Sequence, residues 1–321
     1  MLTLEMIEAA AQRLQPHIQT TPLLHVPASA EGRPELFVKA ENLQRTGSFK
    51  FRGAFNAIAQ LSPADRAFGV VACSSGNHAQ GVALAAKLLG CRATIVMPKD
   101  APATKIDGTR GYGAEVVLYD RINESREEIA ESHAAKTGAS LIWPYDDYNV
   151  MAGQGTCGLE IVQQLKALEK QPEWVLIPAS GGGLAAGVAT AVHHLMPDVQ
   201  LATVEPEGFD DQTRSHLAGE RIGGNEDRAS VCDAILTPMP GQVSFAICHG
   251  RLAEGLIVTD EQALEAVSFA FRELKLVVEP GGAVTLAALL SGKLDIKGKT
   301  VLATLSGGNI DAPVMARALG V

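Results

Sequence analysis

Glycine clusters fall where short apolar runs give way to helical patterns: Ser74-Ser75-Gly76-Asn77-His78, Ser180-Gly181-Gly182-Gly183-Leu184, Glu279-Pro280-Gly281-Gly282-Ala283 and Ser306-Gly307-Gly308-Asn309. Strand-to-helix junctions of this kind belong to parallel α/β sheets, where ligands bind at the carboxyl ends of the strands. Tight turns alone account for some of these junctions. So many of them, with Ser or Asn beside the glycines, point to a ligand site assembled from distant parts of the chain.

The text between the clusters supports that class. Val70–Cys73, Ala93–Met97, Glu115–Tyr119 and Leu141–Trp143 read as strands, separated by helical stretches at His78–Leu89, Ala103–Arg110 and Glu124–Lys136. A second series of strands lies near Trp174–Ile177, Gln200–Val204, Leu256–Val258 and Thr300–Leu305. Between them run Leu184–Leu195, Asp260–Leu274 with Thr259 as its cap, and Ala283–Leu290. Strands alternating with helices imply right-handed crossovers. The expected architecture is α/β, with two lobes packed face to face and the site in the cleft between them.

Composition narrows the function. The 321 residues carry 27 Lys+Arg against 36 Asp+Glu, a formal charge of −9, with no basic run to engage nucleic acid or an anionic membrane. No apolar stretch approaches the ~20 residues needed to span a bilayer. Leu4, Ile7, Ala11 and Leu14, interrupted by Glu5, Glu8 and Arg13, read as an amphipathic helix and not a secretory signal. Cys73, Cys91, Cys157, Cys232 and Cys248 form no close pair, which fits small buried side chains in a reducing cytoplasm. His193-His194 lacks a third ligand nearby and reads as a packed pair, and Trp143 and Trp174 read as core.

The Ser180–Leu184 loop follows an apolar run and opens a helix, so its amides and the helix dipole make a phosphate cradle. Gly181-x-Gly183-x-x-Ala186 also matches a dinucleotide fingerprint, with Glu205 near the place of a ribose-binding acid. An NAD(P) oxidoreductase therefore competes with an enzyme holding a single phosphate ester. Lys50 favours the latter, although taken alone it reads more simply as a surface lysine whose stem packs on Phe51. It lies in Ser48-Phe49-Lys50-Phe51-Arg52-Gly53, ahead of an apolar helix at Ala54–Leu61. A lysine held between aromatic side chains loses hydration, which favours the free amine that Schiff-base chemistry requires.

With these motifs in this order, the chain resembles the fold-type II pyridoxal-phosphate enzymes of the threonine/serine dehydratase and serine racemase group, from Thr21-Pro22-Leu23 to Asn309. The resemblance implies a tryptophan synthase β-like fold, with a large cofactor-binding domain over 1–51 and 147–321 and a small domain over 52–146. It implies the short catabolic form and a homodimer. Lys50 would hold the cofactor covalently, the amides of Gly181, Gly182, Gly183 and Leu184 its phosphate, Asn77 its ring hydroxyl and Ser306 its pyridine nitrogen. Ser74, Ser75, Asn77 and His78 would surround the substrate carboxylate. A hydroxyl at Ser306 lets the ring nitrogen stay neutral, a shallower electron sink that favours prompt loss of a β-substituent.

The implied reaction is loss of water from L-threonine or L-serine, giving 2-oxobutanoate or pyruvate and ammonia, with freed Lys50 as general base. In the racemases of the group, the serine matching Ser75 donates a proton from the opposite face, so racemase activity stays open, as does 3-hydroxyaspartate as substrate. Glu205, Phe209 and Asp211 match the group's divalent-cation loop and would offer oxygen ligands to Mg²⁺ or Ca²⁺. The simpler reading of the loop is Asp210 or Asp211 capping a helix. Ser230-Val231-Cys232-Asp233-Ala234 and Thr237-Pro238-Met239-Pro240-Gly241 depart from the commonest forms on the substrate side.

Overall fold

The computed structural model describes residues 1–28, 34–74, 76–224 and 229–321. Strands β1 (Leu23–Val26) and β2 (Glu35–Ala40) come first, then β3 (Val70–Cys73), β4 (Ala93–Pro98), β5 (Glu115–Tyr119) and β6 (Ser140–Leu141). They are followed by β7 (Trp174–Pro178), β8 (Gln200–Pro206), β9 (Glu254–Val258) and β10 (Thr300–Leu305). Two sheets result, ordered β1-β2-β10-β7-β8-β9 and β5-β4-β3-β6. All pairings are parallel except β1 with β2. Strands β3 and β4 are buried at every residue, as parallel strands covered on both faces must be. No helix among the described residues is long and apolar enough to cross a membrane.

The expected strands and helices recur with small shifts. The helix after β3 is Asn77–Leu88, and Thr259 closes a full capping box on the helix Asp260–Phe269, which continues as a π-helical segment to Leu274. The last strand of the first series is shorter than expected. After Ile142 donates to the Val71 carbonyl the chain reaches Pro144, which has no N–H to extend the ladder. The helix expected from Ala54 starts at Lys50.

The chain's longest helix among the described residues, Tyr148–Ala167, is not visible in the sequence pattern. Its Gly153, Gly155 and Gly158 argue against a helix by propensity. Packing overrides them. A Cβ on Gly153 would lie 2.5 Å from the Arg52 carbonyl, and one on Gly158 would lie 3.1 Å from Val188 Cα. This helix thus lies backbone to backbone against its two neighbours, Lys50–Ala59 and Gly183–Leu195. Strand β2 is equally hidden, because its apolar run is interrupted by Lys39. That lysine is fully buried, its Nζ bonded to Glu160, Gln164 and the Thr21 carbonyl.

Candidate active site

A cavity of about 400 Å³ lies between the two sheets, where β3, β7 and β10 end. Lys50, Asn77, His78, the Ser180–Leu184 loop, Glu279 and Ser306 all line it. Residues more than two hundred positions apart in sequence therefore share one site.

Lys50 is the first residue of its helix and is tied there from both sides. The Phe49 amide donates to the Ser306 carbonyl at 3.1 Å, and Ser48 bridges Gly307. Lys50 Nζ donates to the Pro144 carbonyl at 2.9 Å and sits 5.2 Å from the centre of the Phe49 ring. Burial brings its pKa down to about 8. Among the described residues, the aromatic ring over which the amine lies is that of Phe49. Phe51 points into the core against Phe55, because the helix already started at Lys50 turns it away.

The Ser180–Leu184 loop has the form of an anion cradle. Among the described residues, the amides of Gly181, Gly182, Gly183 and Leu184 donate to no group of the protein, and they open the helix Gly183–Leu195. The loop is braced from behind. The Gly181 carbonyl accepts from Ser244 Oγ at 2.6 Å and from the Gly241 amide. Gly182 has φ +90°, which side chains resist, and a Cβ on Gly181 would collide with the Tyr145 ring.

At the far end of β3, Ser74 Oγ accepts from the Gly76 amide, and Ser75 lies outside the described residues. Asn77 Nδ2 donates to Glu279 Oε1 at 2.6 Å, while Asn77 Oδ1 accepts from Asn309 Nδ2 at 2.7 Å. His78 is buried with Nε2 bonded to the Ile142 carbonyl, and burial, followed by the charge of Lys50, brings its pKa down to about 3. It is a neutral imidazole whose Nε2 carries the proton, since a carbonyl can only accept. Among the described residues Nδ1 has no partner, and it offers a lone pair instead of a donor. Ser306 is almost fully buried, its amide donating to the Gly282 carbonyl.

Apart from Asp233, the residues in and behind the wall described next give no signal in the sequence. Tyr145 backs the glycine loop, and Asp146 accepts from the amides of Gln242, Val243 and Ser244, capping the helix Gln242–Cys248. Lys105 Nζ and Asp233 Oδ2 meet at 2.5 Å across the cavity, and Arg121 and Arg126 stand on its rim. Asp233 belongs to the segment whose departure from the common form marks the substrate side, and Asp233 through Thr237 do line the cavity.

The acidic loop after β8 is built differently from a simple cap. Glu205 is fully buried and takes the amides of Gln212 and Thr213 and the Thr213 hydroxyl, so it, not Asp210 or Asp211, caps the helix Asp211–Ala218. Asp211 is also fully buried, and neither of its carboxylate oxygens has a partner. Burial raises both acids, Glu205 to about 8 with Asp211 as the second cause and Asp211 to about 7. No cluster of three or more His, Cys, Asp or Glu side chains suited to a metal exists among the described residues.

Comparison with known proteins agrees with this geometry. The sequence pattern of the family described as pyridoxal-phosphate dependent enzyme matches residues 14–307. The chain belongs to that family. A Pseudomonas sp. L-threo-3-hydroxyaspartate ammonia-lyase is 44 % identical over 303 residues, covering 94 % of this chain and 93 % of the relative. An L-threonine ammonia-lyase of Thermotoga maritima is 42 % identical over 320 residues, covering 99 % and 78 %. The crystal structure of a threonine deaminase from T.th. superposes with a TM-score of 0.89 at 43 % identity, covering 96 % of this chain and 99 % of the other.

This pyridoxal-phosphate enzyme has the fold-type II architecture of its neighbours. Its residues fit the cofactor on their own terms: a buried lysine amine with a depressed pKa shares a cavity with a cradle of unpartnered amides. The dinucleotide reading of the same loop falls away. The acid it would assign to a ribose, Glu205, is buried with both oxygens committed to the protein.

Proposed function

We propose that the enzyme deaminates L-threonine, L-serine or both by eliminating water from the α and β carbons, releasing 2-oxobutanoate or pyruvate and ammonia. The observation that carries this reading is Lys50 Nζ, with a pKa near 8, set in one cavity with the free-amide loop. Bound pyridoxal phosphate supplies an electron sink conjugated to the substrate's α-carbon. Lys50 Nζ, the only lysine amine lining the cavity among the described residues apart from ion-paired Lys105, takes the α-proton. The amides of Gly181–Leu184 hold the phosphate, Asn77 faces the ring hydroxyl, and the Ser306 hydroxyl faces the ring nitrogen. The substrate carboxylate would sit at the amino end of the helix Asn77–Leu88, beside Ser74 and Asn77, where the amides of the helix's first turn, unpartnered among the described residues, and the dipole suit an anion. His78 supports that end through its bond to the Ile142 carbonyl. Ser75 lies outside the described residues, and the resemblance makes it the residue on which the choice between dehydratase and racemase turns.

A second substrate, 3-hydroxyaspartate, is supported by Arg121 and Arg126 on the cavity rim, whose present partners Asp100 and Glu127 are exposed acids that a second carboxylate can replace. A structural or allosteric Mg²⁺ or Ca²⁺ at Glu205, Asp211 and the Phe209 carbonyl has its support in the two unpartnered, buried oxygens of Asp211, while Glu205 would have to share its oxygens with the helix amides it caps. A cytoplasmic location is supported by the five free thiols, and a homodimer by the resemblance. The division into 1–51 with 147–321 and 52–146 is supported by the two separate sheets.

The test is a product assay on cofactor-loaded protein given L-threonine, L-serine and threo-3-hydroxyaspartate separately, scoring 2-keto acid and D-amino acid together. Fast 2-oxobutanoate with negligible D-product is the expected result. D-serine in excess of pyruvate would replace the dehydratase with a racemase, and turnover confined to hydroxyaspartate would select the second substrate.

A further inference from the structure

The Glu279-Pro280-Gly281-Gly282-Ala283 cluster has no part in the roles assigned above, yet it delivers a buried acid to the cavity wall. Glu279 is 1 % exposed, precedes the helix Pro280–Leu290, and bonds Asn77 across 202 residues of sequence. The space for this contact depends on Gly307. A Cβ there would collide with Glu279 Oε1 and lie 3.1 Å from Asn77 Nδ2, so any other residue expels the acid.

The direction of every hydrogen bond follows from one backbone atom. The Thr46 carbonyl can only accept, so the Asn309 atom 2.8 Å from it is Nδ2, whose second hydrogen goes to Asn77 at 2.7 Å. Asn77 therefore turns Oδ1 to Asn309 and Nδ2 to Glu279 Oε1. One N–H of Asn77 remains, on a side chain that lines the cavity. Because Oε1 is accepting, a proton on the carboxyl resides on Oε2, which is buried without a partner. An ionised carboxylate would leave that oxygen charged and unsatisfied, a costly arrangement in the interior.

We propose that Glu279 is a positioning residue that aims the free N–H of Asn77 at the cofactor ring and, by gaining or losing the proton on Oε2, sets the charge state of the ring hydroxyl. The proposal rests on the reading of Lys50 and Asn77 given under Proposed function. Loss of the proton strengthens the pull of Oε1 on the Asn77 amide and adds negative charge beside the ring oxygen. The groups facing Glu279 are Asp233 before the Gln242–Cys248 helix, Lys105 on the helix Ala103–Gly111, and Asp311 ahead of the last helix. Burial, then Asp233, moves its pKa up to about 7, against the Asn77 hydrogen bond and Lys105.

The experiment is a pH titration of the visible absorbance of the loaded enzyme, from roughly pH 5 to 9, in the wild type, Glu279→Gln and Asn77→Ala. In Glu279→Gln the new amide oxygen can still accept from Asn77, so cofactor affinity measured by fluorescence should change less than about tenfold. The expected result is a spectral transition near neutrality in the wild type that is lost in Glu279→Gln and in Asn77→Ala. A transition that persists unchanged in Glu279→Gln, or a wild-type band that does not move with pH, overturns the proposal. A wild type with no visible band, or a band surviving in Lys50→Ala, overturns the underlying reading of the site instead.

Discussion

At the scale of single residues, reactivity here follows from dehydration and enclosure. Among the described residues Lys50 has no carboxylate partner, and its Nζ is bonded to one carbonyl, so burial acts on the ammonium unopposed. Because the folded-state pKa lies below the usual lysine value, the free amine becomes the major form above about pH 8. Uptake of cofactor by the apoenzyme should therefore accelerate about tenfold per pH unit below that point and level off near it. Stopped-flow absorbance would measure it, and a rate still climbing at the pH where free lysine titrates would contradict the assignment. Gly181→Ala tests the opposite wall. Its methyl group would enter the Tyr145 ring, so the loop must move, and cofactor affinity should fall by at least about fivefold, on the order of 1–3 kcal/mol, while Lys50 is untouched.

At the scale of elements, the legible parts are those whose packing and propensity agree. The strands β3, β4, β5, β7 and β10 are short apolar runs flanked by turn residues, and the sequence pattern is enough to find them. The Tyr148–Ala167 helix is not legible, because its glycines serve contacts that no local pattern reveals. If close packing is what those glycines serve, propensity and stability should move in opposite directions. Gly153→Ala should gain about 1 kcal/mol of helix propensity and still destabilise the protein by about 1–3 kcal/mol, since its Cβ meets the Arg52 backbone. Gly111→Ala, at the end of the helix Ala103–Gly111 with nothing within 4 Å of a new Cβ, should be neutral or stabilising. Urea denaturation of both variants checks the pair. Equal effects would mean that the close approach of the helices is not what the glycines are for.

At the scale of the whole molecule, polar side chains that join the two sheets cluster at the cavity. Asn77 to Glu279, Asn309 to Asn77 and Lys105 to Asp233 all link the four-stranded side to the six-stranded side. Their partners are separated by 202, 232 and 128 positions, which is why sequence spacing shows the individual motifs and not the contacts between them. Lys105 is the asymmetric member. Its side chain is 7 % exposed, whereas that of Asp233 is 49 % exposed, so water weakens the pair from one side only. Removing the aspartate charge leaves a buried ammonium whose remaining acidic neighbours, Glu279 and Asp311, are already engaged. Asp233→Asn should accordingly loosen the Ala103–Gly111 helix and its hold on the cavity wall, at a cost of about 1 kcal/mol after allowance for the exposed partner. Hydrogen exchange should quicken about fivefold in that helix and stay unchanged in β7, β8 and β10, whose protection depends on the other core. The Michaelis constant should rise with little change in kcat, because the pair closes the site without touching the reacting atoms. Uniform acceleration across both sheets would show that Lys105–Asp233 stabilises the fold as a whole, and unchanged exchange would show that the remaining contacts alone keep the lobes closed.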